Sequence, residues 1–172
     1  MALVVEDGTG KTASESYISV ASANTYHDAH GCPAAWKEAR DNEKEIALRI
    51  ATQYLDSFYH GSWIGLKASE LQALAWPRIA AYTVDGYLIS GTVIPVALKN
   101  AVAVAALKEL ESSGSLSPDI SDIGLIESTE IEVGSVREKI VYSGGKTGLK
   151  KFTLLHSFLR GIVQPVGFVE RG

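Results

Sequence analysis

Three short clusters hold the residue types from which active sites are built. Gly8-Thr9-Gly10-Lys11-Thr12 ends as a phosphate-binding P-loop does, on Gly-Lys-Thr. That motif also needs a glycine five residues before Gly10, so that successive backbone N–H groups can wrap the phosphates, and Val5 stands there instead. The residues that follow, Ala13 to Val20, read as loop and short strand where the motif requires a helix. Ser143-Gly144-Gly145-Lys146-Thr147-Gly148 fails the same spacing. The second cluster is His27-x-x-His30-x-Cys32 with Asp28 beside it. A helix would place the two histidines on one face, but a structural zinc ion takes four ligands, and the fourth could come only from distant His60 or His156. Surface histidines at a helix end account for the pattern. The third is Cys32 itself, which has no neighbour to lower its thiol pKa or to orient a base. Gly-x-Ser-x-Gly and His-Glu-x-x-His do not occur. The acid pairs Glu43/Glu45, Glu109/Glu111 and Glu130/Glu132 fall at a helix start, a helix end and a strand exterior. The expectation is a protein without catalytic residues, cofactor or metal.

The elements that would position these residues are mainly helical. Ser22 is a plausible N-cap for a short helix ending near Gly31, and Pro33 to Ala39 can form a turn or two. Asp41 caps a long helix whose apolar positions Ile46, Ala47, Ile50, Tyr54, Leu55 and Phe58 step by three and four and predict one buried stripe. Ser69 starts a shorter helix that stops at Trp76-Pro77. Asp85-Gly86 marks a hairpin turn between Tyr82-Thr83-Val84 and Tyr87-Leu88-Ile89. Pro95 opens a helix to about Ser112 that is apolar on nearly every side, so both faces should be covered, with another subunit as one source of that cover. Residues 126–142 change to a period of two and read as a charged β-hairpin turning at Gly134-Ser135. After a glycine-rich hinge, Phe152, Leu154, Leu155, Phe158 and Leu159 predict a last amphipathic helix and then an extended tail. The fold class is thus mainly α: a single domain with a helical bundle over 1–111, a projecting hairpin over 126–142 and a C-terminal helix and docking tail over 150–172.

Composition narrows the class. The 172 residues contain one cysteine, which excludes a disulfide scaffold, and the longest apolar run, Ala101 to Leu107, is too short to span a membrane. The N-terminus lacks the basic and apolar regions of a signal peptide, so a soluble protein of the cytoplasm is expected. The net charge of −4 hides an asymmetry. Residues 1–135 carry 9 basic and 18 acidic side chains; residues 136–172 carry 7 basic and 2 acidic. Such a split marks a segment with a partner of its own. Trp36, Trp63 and Trp76 sit beside predicted helix ends, with Tyr54, Phe58 and Tyr59 between them. Base stacking would need basic residues interleaved, and the surrounding chain is net acidic, so tryptophans clamping helix ends is the favoured use.

The order of the motifs then suggests a family. Ser16-Tyr17-Ile18-Ser19, Ala51-Thr52-Gln53-Tyr54-Leu55-Asp56, Trp63-Ile64-Gly65, Leu74-Ala75-Trp76-Pro77-Arg78 and Ile94-Pro95 with Lys99 and Ala101 together resemble the head-to-tail adaptor (connector) proteins of tailed bacteriophages. Members of that group are sometimes labelled DnaT-like single-stranded-DNA-binding proteins. The resemblance covers roughly residues 1–110. It implies a structural virion protein, made in the host cytoplasm, that forms a ring, typically of twelve copies, below the portal. Its partners would be the portal, a tail-side connector and its own copies, while DNA passes through the channel unbound. On that expectation Lys146, Lys150, Lys151, Phe152, Leu155, Phe158, Leu159 and Arg160 meet the portal, and Ile131, Val133, Val136, Ile140 and Tyr142 pair neighbouring subunits. The alternative is a single-stranded nucleic-acid-binding module whose affinity falls steeply with salt.

Overall fold

A computed structural model describes residues 2–116, 128–133, 136–141 and 152–164. Eleven elements occur among them, in the order α1 (Val20–Ala29), α2 (Ala34–Glu38), α3 (Asp41–Phe58), β1 (Leu66–Lys67), β2 (Arg78–Ile79), β3 (Ala81–Tyr82), β4 (Leu88–Ile89), α4 (Val96–Glu111), β5 (Ser128–Val133), β6 (Val136–Val141) and α5 (Thr153–Leu159). The fold is helix-rich, with short antiparallel strands only. No helix among the described residues is long and apolar enough to cross a membrane. The chain divides into two compact units, Met1–Ser117 with Thr153–Gly172, and Pro118–Phe152.

In the larger unit α4 is the axis. Ala101, Val102, Ala103, Ala105 and Ala106 are inaccessible to solvent, because α1, α2, α3 and α5 all pack on this one helix. Its all-round apolar sequence is therefore covered by its own chain, and no second subunit is needed to complete it. The stripe on α3 matches the expected one only in part. The buried positions are Lys44, Ala47, Leu48, Ala51, Thr52 and Leu55. Ile46 and Phe58 lie at the surface. Ala47 and Leu55 are buried as the periodicity predicts, while the stripe is completed by Lys44, Leu48, Ala51 and Thr52 and not by Ile46 and Phe58.

Two helix starts differ from the sequence expectation by the geometry of their caps. Ser19, not Ser22, caps α1: its Oγ accepts the Ser22 N–H at 3.1 Å. At α3 the Arg40 N–H is the donor and the Glu43 carboxylate the acceptor, at 2.8 Å. The short helix expected from Ser69 does not form. Gln72 is buried there, accepting from Ser69 N and donating to the carbonyls of Leu74 and Pro77 at 2.8 and 3.0 Å. One side chain thus satisfies three backbone groups of the segment. The chain passes on through a cis Trp76–Pro77 bond.

β1 pairs with β2, and β3 with β4 as a hairpin across Asp85-Gly86, as the turn signal predicts. The approach of the two pairs depends on Gly65: a Cβ there would stand 2.5 Å from the Ile79 carbonyl oxygen and 2.9 Å from Ala81 Cα. Behind them, residues 62–64 run antiparallel to 162–164, joined at Trp63 and Val163. In the smaller unit β5 and β6 pair with Val133 opposite Val136. Strand alternation then puts positions 131, 133, 136 and 140 on one face of the ribbon. Tyr142 lies outside the described residues.

Candidate nucleic-acid interface

The motif residues that carry the family resemblance converge in the interior. Tyr17 donates its hydroxyl proton to Asp56, 2.7 Å from Oδ1 and 2.9 Å from Oδ2. The same hydroxyl oxygen accepts the Trp76 N–H at 3.1 Å, and Asp56 accepts the Ala75 N–H at 2.9 Å. Arg78 closes the segment: Nε and Nη2 donate to the carbonyls of Ile64 and Gly65 at 2.7 Å each, and Nη1 donates to Ala75 at 3.2 Å. Burial holds the Asp56 carboxyl above its ordinary pKa. Burial, and then the Asp56 charge, push Tyr17 well above the tyrosine range. These bonds make the network a clamp on residues 74–78.

The P-loop-like segment is likewise closed. Glu6, almost fully buried, points its carboxylate into the loop, where Oε1 accepts from the amides of Gly8 and Gly10 at 2.9 Å. Oε2 accepts from Lys11 N at 2.9 Å and Ser14 Oγ at 2.8 Å. Burial pushes this carboxyl up, but the Ser14 and backbone hydrogen bonds outweigh it and the net shift is downward. An internal anion thus fills the place where a phosphate would sit. Gly8 (φ +105°) is wedged against Thr92, whose carbonyl oxygen would lie 1.9 Å from any Cβ.

The histidines do not converge on a metal, and among the described residues no group of side chains has that geometry. His27, expected at the surface, is buried: Nε2 meets the Ala103 carbonyl of α4 at 3.1 Å, and the ring lies 4.3 Å from that of Trp36. His30 stacks on Tyr26 instead. A hydrogen bond to Asp28 pushes the Cys32 thiol up, away from nucleophilic form.

Trp36, Trp63 and Trp76 are all buried, but only Trp36 belongs to a helix, α2, since no helix forms before Trp76. Ring contacts lead from Trp76 to Trp63 at 6.3 Å, to Tyr59 at 5.4 Å and on to Phe58 at 5.0 Å. Burial pushes Tyr59 up to about 12, and its hydroxyl meets His156 Nδ1 of α5 at 3.4 Å. Phe58 ends the series at the surface, and Tyr82 and Tyr87 of the β3–β4 hairpin are also exposed. Residues 57–89 contain two acids, Glu70 and Asp85, against Lys67, Arg78 and His60; residues 152–164 contain no acid, with Arg160 and His156. These two segments are joined through Trp63 and Val163. The molecule therefore has an acid-poor, aromatic-bearing region beside an acidic N-terminal one.

Several residues expected to dock on a partner lie elsewhere. Leu155 and Leu159 are buried within the larger unit, whose α5 packs on α4, so they hold α5 down and present nothing to an outside surface. Phe152 and Phe158 are half-buried and Arg160 is exposed; Lys146, Lys150 and Lys151 lie outside the described residues. Phe58, Tyr82 and Tyr87 were not among the expected site residues. The tyrosines either side of Asp85-Gly86 were the available signal.

Residues 1–172 match the family described as "Putative DnaT-like ssDNA binding protein", and the chain belongs to that family. No curated protein and no solved structure matches it. The head-to-tail adaptor expectation is overturned by this match, which spans the whole chain while no connector family is found. With it fall the portal and tail-side connector as partners, the twelve-membered ring and the channel that passes DNA unbound.

Proposed function

We propose that this protein is a single-stranded nucleic-acid-binding module, a helical bundle bearing the β5–β6 hairpin and a basic C-terminal tail. The observation that carries this function is the whole-chain match to the DnaT-like single-stranded-DNA-binding family. Two features support it. Exposed rings occur on an acid-poor region, and base–aromatic stacking is the sequence-tolerant way to hold a single strand. The excess of basic side chains in residues 136–172 offers phosphate attraction that the acidic remainder does not. The self-filled Glu6 loop and the closed Tyr17–Asp56 clamp fit a role in binding without catalysis.

Fluorescence anisotropy with a labelled oligothymidylate of roughly 30 nucleotides tests the proposal. Micromolar binding is expected, weakening as salt rises from about 50 to about 200 mM, with a duplex of equal length bound more weakly. Equal affinity for duplex, or no binding, would overturn it.

A further inference from the structure

The β3–β4 hairpin is the most unusual surface among the described residues. Ala81 and Ile89 face one another at its base, with Ala81 wholly buried and Ile89 half-buried. The next pair out, Tyr82 and Leu88, is 56% and 61% exposed; Val84 is 84% and Tyr87 74% exposed. Four large apolar side chains within seven residues thus stand in water on one small ribbon. These exposed apolar side chains are gathered on one element, on both of its sides and not as one continuous patch, and they make the hairpin a candidate contact element. Among the described residues neither Tyr82 nor Tyr87 stacks on another ring, and neither hydroxyl has a hydrogen-bond partner.

The ribbon holding these rings is nevertheless well ordered by its own bonds. Gly86 N donates to Thr83 O at 2.9 Å, Thr83 N to Tyr87 O at 2.8 Å, and Tyr87 N to Thr83 Oγ1 at 3.1 Å. Gly86 supplies the φ of +84° that the turn needs. The base is seated against Gly65, where no side chain fits. Presenting the rings therefore costs little ordering on binding. Strand alternation sets Tyr82 with Leu88 on one side of the ribbon, and Tyr87 with Thr83 on the other.

We propose that the β3–β4 hairpin is the base-contacting element, with Tyr82 and Tyr87 each offering a ring face to an unpaired base. This rests on the single-strand-binding function proposed above and adds which surface reads the strand and by what chemistry. Every base has a π-face, so contact here discriminates little by sequence. Duplex is excluded because stacking within it already occupies those faces. Asp85, at the exposed tip, is the one like charge that an approaching phosphate meets on the hairpin, and it limits affinity.

The test is anisotropy with labelled oligothymidylate on the full chain and three variants, with thermal unfolding recorded for each. Y82A/Y87A should bind roughly 30-fold more weakly at unchanged unfolding temperature. Y82F/Y87F, which keeps both ring faces, should bind as the parent does. D85K should bind several-fold more tightly at low salt, a gain that misfolding cannot imitate. If the parent chain does not bind, the single-strand function and the hairpin assignment fall together. If it binds, and either Y82A/Y87A or D85K matches it in affinity, only the hairpin assignment falls.

Discussion

Tyr17 and Tyr87 are the same side chain put to opposite uses. Tyr17 is 1% exposed, with its hydroxyl held between the Asp56 carboxylate and the Trp76 amide. Tyr87 stands on a two-stranded ribbon with most of its ring in water. Around Tyr17 lie the distinctive motifs of the sequence: Ser16 to Ser19, Asp56, and Leu74 to Arg78. Around Tyr87 lies an ordinary hairpin. The comparison teaches that the densest motif in this chain marks where backbone must be held against backbone. The surface free to meet a partner is marked by what the fold leaves unused.

The contrast can be broken at several points. The largest effect is expected at Asp56→Ala, which strips the acceptor from Tyr17 and the Ala75 amide together. Urea unfolding should show a loss of about 3 kcal/mol or more, with Asp56→Asn recovering part of it; a loss below about 1 kcal/mol would mean the clamp is incidental. Next is a matched pair: Tyr17→Phe should cost about 2 kcal/mol, while Tyr87→Phe should stay within about 0.5 kcal/mol of the parent. Equal effects at both sites would erase the distinction.

Glu6→Gln should cost about 1 to 2 kcal/mol, because an amide oxygen accepts fewer of the four hydrogen bonds than a carboxylate does. Its sharper readout is local: amide exchange at Gly8, Gly10 and Lys11 should quicken while that of α4 does not. Since the folded-state pKa of Glu6 is lowered, its contribution is complete above the unfolded value of about 4.5 and fades as pH falls below it.

The smallest effect is at His27, whose pKa burial depresses against the opposing hydrogen bond to Ala103. A neutral folded form means full stability above the unfolded pKa of about 6.5 and a decline as pH falls below it. Urea midpoints at about pH 7.5 and about pH 5.5 should differ in the parent and differ less in His27→Gln. An identical decline in both would assign it to other groups.

Much of this architecture could be read from the residues, and the failures have physical reasons. The α4 sequence announces a helix buried all round, and Asp85-Gly86 announces a hairpin. Periodicity placed Ala47 and Leu55 in the buried stripe of α3 correctly but took Ile46 and Phe58 in place of Lys44, Leu48, Ala51 and Thr52, because it weighs apolarity alone. Where a helix was expected from Ser69, the chain is instead held by the buried Gln72, which no local pattern reveals. Leu155 and Leu159 looked like docking residues because an amphipathic helix does not declare whether its apolar face meets its own core or a partner. The rings of the candidate interface were hidden for the opposite reason: tyrosine beside a turn is unremarkable until its exposure is known.

The Glu6 loop bears on how binding experiments with this protein should be interpreted. A loop whose amides already coordinate a carboxylate of the same chain is an anion receptor supplied with its own tethered ligand. Preparations that begin after Glu6, or that carry an uncharged residue there, would expose an empty receptor beside the Lys11 ammonium. Shortening also removes the bonds of Val4 and Glu6 to Glu15 and Ser16 that seat the loop. In the intact chain the tethered carboxylate is present at high local concentration, so an anion affinity seen only in shortened preparations would report the truncation.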